Sequence, residues 1–526
     1  MPSFLTRPSL VASLAACSAA VLSLSACAGS TADSASGGRI LVIDTTFNLK
    51  SADPGRQFEP TGQTIGKAIY QTLLTFKGGD VTKPVPDLAT YEQSKDRKTL
   101  TLRLRGGTFS DGSPVTADDV VFSLNRVIGL KGNPSFLLKG VTITKNDAST
   151  VTLTSKEPNL ALPFILANPS LGILNSKVVR AHGGTETSAD KAEPYLNRHS
   201  SGSGPYTLTA YSTTTQVVLQ KNSKYTGPDD PTYDKVILRN VQTPTQKLNV
   251  QRGDSQIALN LSSDQVQRLT GGVKVLSQTS SDVVFLLLNQ DESVGGVTAD
   301  PKFNEAVRKG IDYQGLLQLA GKGATQPAGI IPSTFVGSLP PSEATGRDLE
   351  GARAALAAGG LKHPKVTLSY ANDTAVGGLT LQPLAERIQA QLKEIGITVD
   401  LAPGPSATEL DKYRAGKNQM GLWKWSPDYP DPSDYLVFLP GNLVGLRAGW
   451  KASADAELDP LVEKARLVTK SEERNAAYKE IQRRLNASGP FVSLIQPSRI
   501  TVTAASVAGV EYNPVWTIDV ADVRTS

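Results

Sequence analysis

The chain has 526 residues, 54 Lys and Arg against 49 Asp and Glu for a formal charge of +5, with 39% apolar and 20% charged residues. One hydrophobic core stops growing well short of that length, so at least two lobes are expected. The small charge excess is interspersed with acids and offers no basic stripe for nucleic acid, and beyond residue 30 no apolar run of about 18 residues predicts a spanning helix.

The N-terminus carries Arg7 and then an apolar, small-residue run over residues 10–26 that ends at Cys27, the anatomy of a secretory signal. Leu24-Ser25-Ala26-Cys27 resembles the bacterial lipobox, whose Cys is acylated and becomes the first residue of the mature protein. Leu14-Ala15-Ala16-Cys17 fits the same pattern. Cleavage there would leave the apolar residues 19–24 in the mature chain, whereas cleavage before Cys27 leaves a polar Gly- and Ser-rich tether over residues 29–38. Cys27 is therefore the expected lipidation site, and the two or more acyl chains that the lipobox resemblance implies would anchor the protein stably to the cell membrane. Both cysteines lie in this segment, so no disulfide is available to the body.

After the tether, residues 39–43 form a short continuous apolar run, as in a strand buried on both faces of a mostly parallel sheet. Leu100, Leu102 and Leu104 alternate with polar residues, the period of a half-buried strand. Thr116 with Asp119 forms a capping-box pattern, followed by Val120, Leu124 and Val127 at helical spacing. Residues 206–210 and 216–220 read as a hairpin, and residues 282–289 as a buried strand. A strand over 366–370, a helix with Leu381, Leu384, Ile388 and Leu392 on one face, and a strand from Ile397 to Leu401 predict a parallel crossover. Thr469 with Glu472 is expected to cap a helix carrying Tyr478, Ile481 and Leu485, and residues 491–495 and 500–502 return to strand.

One long string, residues 102–124, contains Phe109-Ser110-Asp111-Gly112-Ser113-Pro114 and Ala117-Asp118-Asp119-Val120. With Asp53-Pro54, Gly202-Ser203-Gly204-Pro205-Tyr206, residues 302–312 and Trp425-Ser426-Pro427-Asp428-Tyr429-Pro430-Asp431-Pro432, it resembles the family 5 solute-binding proteins of ABC importers, the peptide and nickel group, from about residue 39 to 520. The resemblance implies an α/β fold: a periplasmic-binding-protein-like, two-lobe clamshell of type II with an extra subdomain. It implies lobe I over residues 39–60, 200–286 and 494–526, the extra subdomain over 61–199, lobe II over 287–493, and chain crossings near 284–289 and 491–497. It further implies capture of di- or oligopeptides between the lobes, delivery to permease and ATPase subunits, and a monomer.

Residues 423–434 hold two Trp, one Tyr-Pro and one Asp-Pro turn, and three Asp, a dense set of ligand-contact types. The resemblance makes Asp428 the partner of a peptide α-ammonium, with Tyr429 beside it. Trp423 and Trp425, two apart on a strand, share one face and form either an aromatic wall or lobe interior. Arg447 is a candidate for a ligand carboxylate, since its planar fork suits bidentate pairing. The segment from Leu446 to Trp450 lacks the Asn-rich stretch of relatives. Asp431 and Asp434 sit at turn and helix-start positions and read as structural, and Arg308 as a packing and salt-bridge residue.

No catalytic residue, metal or cofactor is predicted. His182, His199 and His363 are the only histidines and none pairs at metal-ligand spacing; no Gly-x-Ser-x-Gly elbow or P-loop occurs. Two alternatives stay open: a different solute, such as an oligosaccharide or a nickel chelate, or a surface receptor or chaperone-like lipoprotein.

Overall fold

The computed structural model describes residues 38–526, so the expectations for the leader, Cys27 and the tether's first residues lie outside the described residues. Two mixed sheets dominate. The first has seven strands in the order Val273–Thr279, Ser498–Ala504, Ile257–Ala258, Ile40–Thr45, Lys235–Asn240, Gln216–Lys221 and Tyr206–Tyr211. The second has five: Thr398–Gly404, Lys365–Ala371, Met420–Trp425, Val283–Leu288 and Phe491–Ile495.

Ile40–Thr45 pairs in parallel with both neighbours, which accounts for its unbroken apolar run. In Val283–Leu288 every residue is buried. Its even-numbered side chains join one core, with Phe303 and Leu392, and its odd-numbered ones join another, with Phe438 and Phe491. The pleat thus divides the second lobe into two packed layers. The predicted crossover forms as a helix, Leu381–Glu394, between the parallel strands Lys365–Ala371 and Thr398–Gly404.

A four-stranded sheet, Ala89–Gln93, Thr99–Leu104, Thr150–Ser155 and Val141–Lys145, forms the extra module. Its helix Ala117–Leu130 starts with the capping box of Thr116 and Asp119. At the corner before it, Gly112 takes φ +91, where a side chain would be strained, and Asp111 accepts the Ser113 N–H at 2.9 Å. The module is joined to the first lobe by a buried ion cluster. Arg126 donates to Asp53 at 2.8 and 2.6 Å and to Asp190 at 2.8 and 2.8 Å, with all three side chains fully enclosed.

Several expectations are corrected. The border drawn at 286 falls inside the strand Val283–Leu288; the chain leaves Thr279 in the first sheet and enters the second at Val283. The border drawn at 493 falls inside Phe491–Ile495, the return being made at Gln496 and Pro497. The helix Pro60–Ile69 and residues such as Leu174 and Leu196 pack into the core of the seven-stranded sheet, so the module's own core runs from Leu73 to Ile173, well inside 61–199. Thr469 does not cap the next helix: Ser471–Ser488 starts after Lys470 without a side-chain cap, and its first turn carries Glu472 and Glu473 instead. Arg308 is buried but forms no ion pair among the described residues; it donates to the carbonyl of Gly489.

The two crossings lie side by side and are fastened together. Gln496, fully buried, donates its amide to the Ser280 carbonyl at 3.0 Å and accepts the Ser333 N–H at 2.9 Å, while the Ser280 N–H reaches the Pro497 carbonyl at 2.9 Å. Short segments that carry the chain between lobes in this way are where a hinge absorbs its rotation.

Candidate functional site

Where the crossings leave the two sheets, a cavity of about 380 Å³ opens between the lobes. One wall comes from the loop after Met420–Trp425, including Asp428 and Tyr429; the other comes from Asn168, Arg499 and Tyr512. The lobes touch across it, for Asn168 donates to the backbone carbonyl of Asp428 at 3.5 Å. Asn168 is itself held in place: its carbonyl oxygen accepts from Gln63 at 3.1 Å and from the Ser170 N–H at 2.9 Å.

The turn that presents Asp428 is fixed from beneath. Asp434 accepts the Asp428 N–H at 3.1 Å and the Trp425 indole N–H at 3.4 Å. Asp431 caps the short helix Pro432–Phe438 through the Ser433 N–H and is paired to Arg474 at 2.6 and 2.9 Å. Asp431 is thereby neutralised and spent on structure, whereas no hydrogen bond or ion pair reaches the Asp428 carboxylate among the described residues. Burial alone pushes the Asp428 carboxyl up to about 6. Burial, and then the charge of Asp428, hold Asp434 well above the usual carboxylate range.

Of the five expected contact residues, Asp428 and Tyr429 line the cavity and three do not. Trp423 and Trp425 share a face, as their spacing requires, but it is the face toward the lobe interior. Trp423 is stacked on Tyr413 with centroids 4.3 Å apart, and Trp425 lies edge-on to Phe438 at 5.4 Å. Arg447 sits over the Tyr413 ring at 4.7 Å, a cation–π contact that occupies it away from the cavity. Trp425 acts on the site only through Asp434.

The sequence reading missed the cavity's other charged groups. Asp282 and Lys424 face each other at 3.4 Å. Arg499, with its guanidinium 5.9 Å from the Tyr512 ring, forms no ion pair among the described residues, and its buried Nε lacks a hydrogen-bond partner. The available signal was position: Arg499 is the first charged residue after the crossing expected at 491–497.

Tyr429 also lines a second inter-lobe cavity of about 590 Å³, bounded by Asn159, Leu160 and Arg466, and its ring packs against the core of the four-stranded module. A shallow notch of about 720 Å³ beside Asp291 and Lys451 belongs to the second lobe alone. Among the described residues no group of three His, Cys, Asp or Glu could hold a metal ion, and no helix is long and apolar enough to cross a membrane. His182 and His199 stack on Tyr195 instead.

Comparison with known proteins places these features in context. The pattern of the bacterial extracellular solute-binding proteins, family 5, middle region, matches residues 83–443. The chain is 28% identical over 487 residues to the probable D,D-dipeptide-binding periplasmic protein DdpA of Escherichia coli, covering 90% of this chain and 92% of that one. It is 26% identical over 520 residues to the di/tripeptide-binding protein 2 of Pseudomonas aeruginosa, covering 92% and 95%. The crystal structure of the ABC transporter substrate-binding protein CtaP of Listeria monocytogenes superposes with a TM-score of 0.81 at 20% identity, over 93% of this chain and 99% of that one.

Proposed function

Because the chain belongs to family 5 of the bacterial extracellular solute-binding proteins, we propose that its solute is a short peptide with a free amino terminus, held between the lobes and passed to the membrane subunits of an ABC importer. The observation that carries this reading is Asp428: a half-buried carboxylate in an inter-lobe cavity, without a cation of its own. An α-ammonium supplies the missing charge, and a charge-assisted hydrogen bond in such a site contributes about 1.5 to 3 kcal/mol. The printed names of DdpA and of di/tripeptide-binding protein 2 favour the same ligand class.

A sugar is disfavoured by the same geometry. A saccharide site would pair stacked Trp with neutral polar groups, whereas here both candidate tryptophans are turned inward and the unpaired Asp428 carboxylate lines the cavity. Capture works by population shift: a solute that touches both walls binds the closed arrangement more tightly than the open one, and only that difference drives closure. The segments at Gln496 and Ser280 are the proposed hinge, the halves about it corresponding to the two sheets. No bond is made or broken in this scheme, and the carrier is proposed to work as a monomer. The lipobox-like residues ending at Cys27 support a lipid anchor that would keep it beside its permease.

Mass spectrometry of the solute that co-purifies from the native host tests the proposal. Short peptides with free amino termini are the expected content; a saccharide or a metal chelate in their place would overturn the peptide reading. Mass analysis of the membrane-extracted protein tests the anchor, with diacylated Cys27 as the expected first residue.

A further inference from the structure

Five non-glycine residues among the described ones take positive φ. Arg97, Lys131, His363 and Ser453 do so at exposed or half-exposed turns, where a left-handed residue is ordinary. Thr517 differs: it is β-branched, only 8% exposed, and part of the wall of the 380 Å³ cavity. A branched Cβ is crowded against its own backbone at φ +68, so the chain is strained there. Neighbours hold the strain in place. Thr517 and Asn513 exchange both backbone hydrogen bonds at 2.9 Å, closing the loop 513–517. The Asn513 amide donates to the Gly78 carbonyl at 2.7 Å, and its side-chain oxygen accepts the Val515 N–H at 2.8 Å. Thr64 donates to the Trp516 carbonyl at 2.8 Å, and the buried Trp516 ring packs 6.0 Å from Phe76 with the Lys67 ammonium over it. The Thr517 hydroxyl, by contrast, makes no hydrogen bond among the described residues, whereas the cavity's Ser281 hydroxyl is paired with Thr334 at 2.9 Å. A glycine would close the same loop without strain, so folding alone gives no reason for a threonine here.

We propose that Thr517 is a specificity-determining residue: its hydroxyl hydrogen-bonds the amide group of the bound peptide, and the loop 513–517 carries backbone strain in order to place it. This rests on the peptide reading above and adds to it a neutral contact on the wall opposite Asp428. A nearly enclosed hydroxyl without a partner is unfavourable, and the ligand's amide supplies the partner. A solute that lacks an amide at that place leaves the hydroxyl unpaired and is rejected, because a site built to hydrogen-bond a group discriminates strongly against an analogue without it. Stability and recognition therefore oppose each other at this one position.

The test uses the full mature protein, stripped of bound solute and refolded to the native melting profile. The probes are alanyl-alanine and leucyl-leucine, in L,L and D,D forms, and the ester analogue of each, in which oxygen replaces the amide N–H. Thermal melting and calorimetric affinity are read on the wild type, Thr517→Gly and Thr517→Ser. Thr517→Gly should melt at or above the wild-type midpoint and yet bind the dipeptides about three- to tenfold more weakly. Thr517→Ser, which retains the hydroxyl, should recover most of that loss. The esters should bind the wild type more weakly than the dipeptides and lose nothing further in Thr517→Gly. A lowered midpoint with unchanged dipeptide affinity would make Thr517 a purely structural residue, overturning this inference and leaving the peptide reading in place. Equal losses for dipeptides and esters in Thr517→Gly would do the same. Binding of no probe by the wild type would overturn the peptide reading and this inference with it.

Discussion

The carboxylate of Asp434 accepts the backbone N–H of Asp428 at 3.1 Å, so one buried acid props up the turn that presents another to the cavity. The two cannot both carry charge cheaply, since burial raises each and the charge on Asp428 further raises Asp434.

Binding should therefore depend on pH through Asp428, whose carboxyl sits at about 6 in the empty protein. On the proposed reading a peptide ammonium pairs with the anion only, so affinity should fall as pH drops through that value. About a tenfold loss between pH 7.5 and pH 5 is expected for free-amine peptides, and little change for solutes without an ammonium. The groups around it that bear on the result are Asp434, Asp282, Lys424 and Arg499. The linkage to stability has the reverse sign of an ordinary salt-bridged acid. A carboxyl raised above its unfolded value near 3.9 favours the empty fold at low pH and gives up that contribution as pH rises through about 6. Calorimetric titrations across that range, with and without ligand, check both.

The buried cluster of Asp53, Arg126 and Asp190 behaves oppositely. Burial pushes the Asp190 carboxyl up, but the Arg126 guanidinium outweighs it and holds the group at about 2. That contribution to stability is present above about pH 4 and is lost as pH falls toward 2. Arg126→Met leaves the two enclosed carboxylates with only the partly exposed Arg56, 3.4 Å from Asp53 and 3.0 Å from Asp190, and should destabilise the first lobe by about 3 kcal/mol. Thermal melting at pH 7 measures it, and an unchanged midpoint would contradict the assigned role.

Tyr429 separates the cavities of about 380 and 590 Å³. Replacing it with Ala should join them, weakening dipeptide binding by about 1 to 3 kcal/mol through lost apolar contact while improving the relative affinity of longer peptides. A calorimetric series from two to five residues tests this, and an unaltered length preference would remove Tyr429 from the wall.

Local pattern made much of the fold legible. The period of Leu381, Leu384, Ile388 and Leu392 located a helix to within one residue or so at its end, the alternation in Leu100–Leu104 located a strand, and the capping box at Thr116 and Asp119 formed as read. Asp428 and Tyr429 were found through a motif. What escaped was whatever depends on pairing between distant segments. The spacing of Trp423 and Trp425 put them on one face but could not say which; the register of Trp423 against Phe285 turns that face inward. Arg499 enters the cavity because its strand pairs with Val273–Thr279, Arg499 opposite Gln278, a match across more than two hundred positions of chain that no local period encodes. Arg447 looked as available as Arg499 until the helix Leu443–Arg447 laid it on Tyr413.

Capture as proposed depends on the pairing of Asp428 with a ligand amine, and a double cycle measures it: calorimetry of a free-amine dipeptide and its N-acetyl derivative on the wild type and on Asp428→Asn at pH 7.5. Loss of either partner should cost about 2 to 5 kcal/mol, with the second loss adding little once the first is made. Equal binding of the free-amine peptide by both proteins, or fully additive losses, would contradict it.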